Sequence, residues 1–296
     1  MQLETESPPA SAAAVAPPPG RRWWRLVRPL VVGLVTACLV LLVVPMIFEE
    51  SFIFFPMPYP EGEWQPLGLP VEDAWFEAED GVRLHGWYAA CEEPRAVVLF
   101  CHGNAGNVTH RDEQMRLLRE VVGVSVLVFD YRGYGRSEGK PNETGLRADA
   151  RAARAWLAQR AGIAEEEIVL LGRSVGGGVA VDLAARDGAR ALVLESTFSS
   201  IPDVAAVHYP WLPVGRLLRN RFDSLGKIVD YHGPLLQSHG DADRIVPYRI
   251  GRRLFDAANE PKKLITFPGG DHNDLPDHGY YTALVEFLDG LEPGTR

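Results

Sequence analysis

The chain has 296 residues, 46% of them hydrophobic, and a formal net charge of −9 at pH 7. That is enough apolar sequence for one large core, a domain of roughly 240 residues with an N-terminal appendage. The acidic balance leaves no basic footprint for nucleic acid, so that class of partner is excluded.

Residues 1–28 read as a disordered, basic, cytoplasmic tail. The Pro/Ala-rich stretch from Ser7 to Gly20 has nothing to pack, and Arg21, Arg22, Arg25 and Arg28 follow it around Trp23 and Trp24. Leu30 to Phe48 carries no charged residue. As a helix it would span roughly 28 Å, near the hydrocarbon thickness of a bilayer, so a transmembrane helix is expected over 29–48. No small-residue cleavage site follows Val44, and the apolar run continues well past Cys38, which argues against a cleaved or lipidated leader. Arginines stand on one side of the run. On the other side come Glu49, Glu50 and the aromatics Phe52, Phe54, Phe55 and Tyr59, with no Lys or Arg before Arg83. This asymmetry implies a single pass with the N-terminus cytoplasmic and the rest of the chain on the extracytoplasmic side.

Residues 49–70, Pro-rich from Pro56 onward, read as a linker. A single domain is expected over 71–292. Ala74–Glu77 and Val82–Tyr88 flank Asp80-Gly81, a hairpin signal. Apolar runs then recur at Ala96–Phe100, Val124–Phe129, Ile168–Leu171, Ala191–Leu194, Leu235-Leu236 and Leu264–Phe267. Helical patterns such as Arg111–Val122 and Leu146–Arg160 lie between them. Apolar strands alternating with helices predict an α/β fold, a doubly wound, mostly parallel sheet with an antiparallel edge. Only 197–230, containing Tyr209-Pro210-Trp211-Leu212-Pro213, departs from the alternation, and a small helical cap is expected there. Cys91 and Cys101 bracket one expected strand. The ends of a strand lie beyond the ~7 Å Cα limit for a disulfide, so free thiols are expected.

Gly172-Arg173-Ser174-Val175-Gly176 sits between an apolar strand and a helix-compatible run, Val179–Ala185. That context suits a nucleophile elbow, with the Val175 amide aimed where an oxyanion would form, better than a serine that merely caps a helix. A serine hydroxyl needs a base and a group to orient the base. Of eight histidines, only His272 and His278 follow the last expected strand, and His272 lies in the glycine-rich loop directly after it. Candidates for the acid are Asp241 and Asp243, just past a strand, with Glu195 at the end of an earlier one. The order Ser174, Asp243, His272 is the one this architecture uses. After another strand, His102-Gly103-Asn104-Ala105-Gly106-Asn107 can turn the Asn104 amide toward the serine as a second oxyanion donor, with His102 and Gly103 supporting that loop. Asp130–Gly139 reads as scaffold, the alternative being that Tyr131, Arg132 and Tyr134 border the site. His102, His239 and Asp241 lack an ordered ligand spacing, so neither a metal nor an organic cofactor is expected.

These motifs, together with His239-Gly240-Asp241-Ala242-Asp243-Arg244-Ile245-Val246-Pro247 and Gly270-Asp271-His272-Asn273, resemble the α/β-hydrolase superfamily. Within it, the chain is similar to membrane-anchored serine hydrolases of the serine aminopeptidase-like clan and to protein depalmitoylases. The resemblance implies Asp243 as the acid and the backbone amides of Asn104 and Val175 as the oxyanion hole. The function expected is a serine hydrolase of carboxylic esters or thioesters that works through an acyl-enzyme. Its substrate would be a small or lipid-like ester, and its membrane contact would run through 29–48. The alternatives are a catalytically silent, membrane-tethered binding protein on the same scaffold and a peptidase using the same triad.

Overall fold

The structure, a computed structural model, describes residues 20–211, 215, 217–274 and 278–292, without the side chains of residues 20–22, 38, 39, 42, 45, 46 and 278. Of the tail expected to be disordered over 1–28, residues 1–19 lie outside the described ones, and Gly20–Arg28 is helical instead, continuous with the apolar run that follows. The chain divides into two units, Met1–Ile47 and Phe48–Arg296.

In the first unit, α1 (Gly20–Ile47) is one helix that takes in the arginine cluster and the apolar run. Its apolar side chains are exposed, Leu30 at 73% and Leu34 at 66%. The transmembrane helix expected over 29–48 is not found as such: among the described residues no helix is long and apolar enough to cross a membrane. The helix begins with the arginine cluster and ends at Ile47, before Phe48.

The second unit opens with α2 (Glu49–Ile53) and the two-residue strand β1 (Phe55–Pro56). A hairpin follows, β2 (Glu72–Glu77) and β3 (Arg83–Ala89), turned at Gly81, whose φ of +81° is open to glycine at no steric cost. Then come β4 (Val97–Cys101), the short β5 (Ala105–Gly106), β6 (Ser125–Phe129), β7 (Val169–Arg173), β8 (Ala191–Glu195), β9 (Leu235–Gly240) and β10 (Lys262–Phe267). Eight of these form one sheet in the order β2-β3-β6-β4-β7-β8-β9-β10. Strand β3 runs antiparallel to β2 and β6, and every other pair is parallel. The inner strands are buried on both faces because each carries apolar residues on both, with polar residues mainly at strand ends and in the second half of β9, and alternate side chains feed two separate cores. Leu99 and Cys101 of β4 join the core under α4 (Glu143–Ala161), α5 (Val175–Asp187), α7 (Ser224–Ile228) and α8 (Tyr248–Ala257). Val98 and Phe100 join the core under α3 (Asp112–Leu117) and α9 (His278–Asp289). The hairpin, the parallel sheet and the face of α4 made by Leu146, Ala150, Ala153 and Leu157 follow the expected pattern.

Two segments differ from their expected roles. Residues 49–57, read as the start of a linker, pack into the domain. Ile53 and Phe54 are buried, and β1 pairs in parallel with β5. The C-terminal part of 197–230 is not a cap either, because α7 packs between α5 and α8 within the helical layer. Helix α6 (Ile201–His208) has no fully buried residue and lies at the edge of the core, against which Ile201, Val204 and Val207 pack half-buried. Residues 212–214 and 216 of this segment lie outside the described residues.

Candidate active site

The sheet changes direction at β4 and β7. From β4 the chain moves to one side to make β6, then crosses back to β7 on the other side and continues outward to β10. Open α/β sheets bind ligands at the carboxyl ends of strands at such a switch point. Ser174 stands there, between β7 and α5, with φ 52° and ψ −119°, a left-handed φ that costs a non-glycine residue strain. The turn is held from several sides. The Ser174 N–H donates to the Glu195 carbonyl at 2.9 Å. The Ser174 carbonyl accepts from the Gly177 N–H at 2.9 Å and from the Thr197 hydroxyl at 2.8 Å. Strand and helix meet too closely for side chains: a Cβ on Gly176 would lie 2.0 Å from the Cys101 carbonyl oxygen, and one on Gly172 would lie 2.6 Å from that of Gly176.

His272 arrives on the loop after β10 and Asp243 on the loop after β9. The His272 Nε2 is 3.1 Å from the Ser174 Oγ, and its Nδ1 is 2.8 Å from the Asp243 Oδ2. All three residues are buried. The other carboxylate oxygen of Asp243 accepts the N–H groups of Ile245 at 2.9 Å and Val246 at 2.7 Å. Burial pushes the pKa of Asp243 up, but the rings of His239 and His272 and the Val246 N–H outweigh it and hold the carboxyl well below the usual carboxylate range. The histidine loop is tied at both ends. Arg173 Nη2 donates to the His272 carbonyl at 3.0 Å. Asp271 accepts from the N–H groups of His272 at 2.8 Å and Arg244 at 3.0 Å.

The competing candidates are placed elsewhere. Asp241 is exposed and accepts the Gly269 N–H at 2.6 Å. The buried Glu195 accepts from Gln114 Nε2 at 3.0 Å and from the Tyr280 hydroxyl, side chains of the α3/α9 layer. His278 begins α9, and its side chain lies outside the described residues. Among the described residues, no three His, Cys, Asp or Glu side chains form a metal-ligating group. Cys91 and Cys101 are free thiols.

The loop after β4 faces the serine: a Cβ on Gly103 would come within 3.7 Å of the Ser174 Cβ. His102 is fully buried, and its Nδ1 is 2.7 Å from the Gly103 carbonyl oxygen, so Nδ1 carries the proton. Burial, with the charge of Arg111 nearby, pushes the pKa of this ring down to about 3 and keeps it neutral. A trans peptide carries its C=O and N–H on opposite edges. Fixing the Gly103 oxygen toward His102 therefore turns the Asn104 N–H to the opposite side. Val175 is the first residue of α5, so its N–H has no partner within the helix. Tyr131 and Tyr134, buried phenols whose pKa burial pushes up, donate to the carbonyls of His102 at 2.9 Å and Asn104 at 2.7 Å. Arg132 holds their loop by pairing with Asp149 and Asp80.

Residues 96–224 match the family model described as the alpha/beta hydrolase fold. The alpha/beta hydrolase domain-containing protein WAV2 of Arabidopsis thaliana is 33% identical over 294 residues, covering 89% of this chain and 94% of WAV2. The chain belongs to the α/β-hydrolase family. An uncharacterised protein of Mycobacterium tuberculosis is 42% identical over 228 residues, 76% of this α/β hydrolase and 81% of the relative. Among solved structures, the Pyrococcus furiosus esterase Pf2001 shares the fold with a TM-score of 0.66 at 21% identity, over 81% of this chain and 98% of that one.

Sequence reading of this α/β hydrolase left Tyr131 and Tyr134 open as residues bordering the site without finding their hydroxyl bonds to the loop after β4, and it missed Arg173 on the histidine loop and His239 against Asp243 at 3.2 Å. The tyrosines and Arg173 act through backbone carbonyls, and His239 through a carboxylate four residues on. The one local signal was the cluster Tyr131-Arg132-Gly133-Tyr134 after a buried strand.

Proposed function

We propose that this α/β hydrolase is a serine hydrolase of carboxylic esters or thioesters that works through an acyl-enzyme. The observation that carries the reading is the relay of 3.1 Å and 2.8 Å from the Ser174 Oγ through His272 to Asp243. Ser174 attacks the carbonyl carbon as the His272 Nε2 takes its proton. The same nitrogen returns the proton to the departing alcohol or thiol, then deprotonates the water that releases the acid. Asp243, ionised, keeps the proton of the neutral imidazole on Nδ1 and stabilises the imidazolium. The N–H groups of Asn104 and Val175 receive the oxyanion, and His102 and Gly103 support the Asn104 side of that hole.

We also read α1 as the means by which the enzyme meets a bilayer. The uncharged run from Leu30 to Phe48 and the arginines confined to its N-terminal side support an N-terminus in the cytoplasm and a catalytic domain outside it. Esters of lipid origin are then the substrates closest at hand. The test is turnover of p-nitrophenyl esters by the full-length protein in detergent. Wild type should hydrolyse them, and Ser174→Ala should not. Equal rates in the two proteins, or a folded wild type with no turnover across short and long acyl chains, would reject the reading in favour of a silent binding protein.

A further inference from the structure

Residues 49–57 carry none of the reacting groups, yet they are hydrogen-bonded to the loop after β4 from Asn104 to Asn107. The Asn104 side-chain Nδ2 donates to the Ile53 carbonyl at 2.8 Å. The Phe55 N–H donates to the Asn104 carbonyl at 2.9 Å, and the Met57 N–H to that of Gly106 at 3.1 Å. Asn107, fully buried, returns a hydrogen bond from its Nδ2 to the Met57 carbonyl at 3.0 Å. Both ends of the Ala105–Gly106 stretch are thus bound to one strand from the N-terminal side of the domain.

The other end of the segment, at the start of α2, is fixed by a buried carboxylate. Glu49 is only 2% exposed. It accepts from the Asn220 N–H at 2.7 Å, the Asn220 side-chain amide at 3.0 Å and the Arg219 N–H at 3.0 Å. Burial raises its pKa, but these donors and the Arg219 guanidinium outweigh burial and leave the carboxyl below its ordinary value. Asn220 in turn accepts the Glu143 N–H at 2.7 Å, at the start of α4. Between the two ends, Phe54 packs edge-on against Phe222, with ring centroids 6.2 Å apart. Phe222 lies against α5, where a Cβ on Gly178 would come within 3.0 Å of its ring. One short segment therefore spans from the helix that carries the serine's backbone to the loop that faces the serine.

We propose that Glu49–Met57 is a positioning strap for the oxyanion hole. The Ile53 carbonyl and the Phe55 N–H fix the side chain and carbonyl of Asn104, and Glu49 locks the strap's other end to Asn220. This rests on the reading of the Asn104 N–H as an oxyanion donor. Asn104→Ala keeps that N–H but removes the Nδ2 bond to the strap, and Glu49→Ala removes the lock.

The test uses full-length protein in detergent, p-nitrophenyl butyrate as substrate and fluorophosphonate titration to count active sites. Per active site, kcat should fall by about 10- to 100-fold in each variant while KM moves by no more than about threefold. The Ki of an alkyl trifluoromethyl ketone, whose adduct places an oxyanion in the hole, should rise in step with the loss in kcat. A purely structural role would lower the melting temperature or the count of active sites and leave the per-site rate alone. Wild-type kcat per site in Asn104→Ala overturns the proposal, and that variant decides if Glu49→Ala does not fold. A wild type that neither turns over ester nor titrates overturns the reading of the site, and the strap's role with it.

Discussion

The Nδ1 of His102 lies 2.7 Å from the carbonyl oxygen of Gly103, so a buried, neutral ring sets the direction of the peptide whose other edge is the Asn104 N–H. His102, expected from the sequence to support that loop, thus handles no proton in the proposed mechanism. It acts as a fixed donor, and its neutrality has a measurable consequence.

In the native protein His102 stays neutral down to about pH 3, whereas an unfolded histidine titrates near pH 6.5. Between those values the unfolded chain holds the extra proton. Stability from this site is therefore fully present above about pH 6.5 and is lost as pH falls toward 3, at about 1.4 kcal/mol per unit. Denaturant unfolding of wild type between pH 6.5 and 4 should show this slope, and His102→Gln should flatten it by about one proton. Identical slopes in the two proteins would contradict the assignment.

Asp243→Asn should lower kcat by about 10⁴-fold, because an amide no longer selects the tautomer that leaves the His272 Nε2 free to accept a proton. Asp241→Asn removes only a charge on an exposed loop, since its amide oxygen can still accept the Gly269 N–H, and should stay within about threefold of wild type. Parallel measurement of kcat/KM on one ester checks both, and a large loss in Asp241→Asn alone would reverse the assignment.

The sheet and the relay could be read from the sequence because their determinants are local. Each inner strand contains an apolar run, and Ser174, Asp243 and His272 each follow a strand on the turn or loop at its carboxyl end. The strap could not be read that way. Glu49-Glu50-Ser51-Phe52 looks like the polar edge of a hydrophobic segment, and nothing nearby says that Glu49 is buried. Its partners Arg219 and Asn220 lie about 170 residues further on, and Ile53 meets Asn104 only after β4 has placed the loop. The role of α7 was hidden for a related reason. Five residues give too little periodicity to separate a helix beside α5 from part of a cap.

Gly176→Ala would set a methyl against two backbone carbonyls, those of Cys101 and His102, at 2.0 and 2.4 Å. Neither strand nor elbow can yield without moving the serine, so a stability loss of about 1–3 kcal/mol or more is expected, read as a lower melting temperature. Gly103→Ala meets only the Ser174 Cβ at 3.7 Å and the Arg173 carbonyl oxygen at 3.8 Å, both ordinary contacts, and should melt with wild type. Equal melting of Gly176→Ala and wild type would show that the elbow has slack.

The proposed topology predicts that full-length protein stays with the membrane fraction through an alkaline carbonate wash. A periplasmic-type reporter fused after Arg296 should be active on the far side of the membrane from the cytoplasm. Release by carbonate, or a reporter active only in the cytoplasm, would remove α1 from its proposed role.

The most direct test of the central claim is to expose folded full-length protein to a fluorophosphonate and map the adduct by peptide mass spectrometry. One phosphonyl group should appear, on the peptide bearing Ser174, and it should be missing from His272→Ala after the same exposure. A folded wild type left unmodified, or modified elsewhere while the Ser174 peptide stays free, would contradict the account.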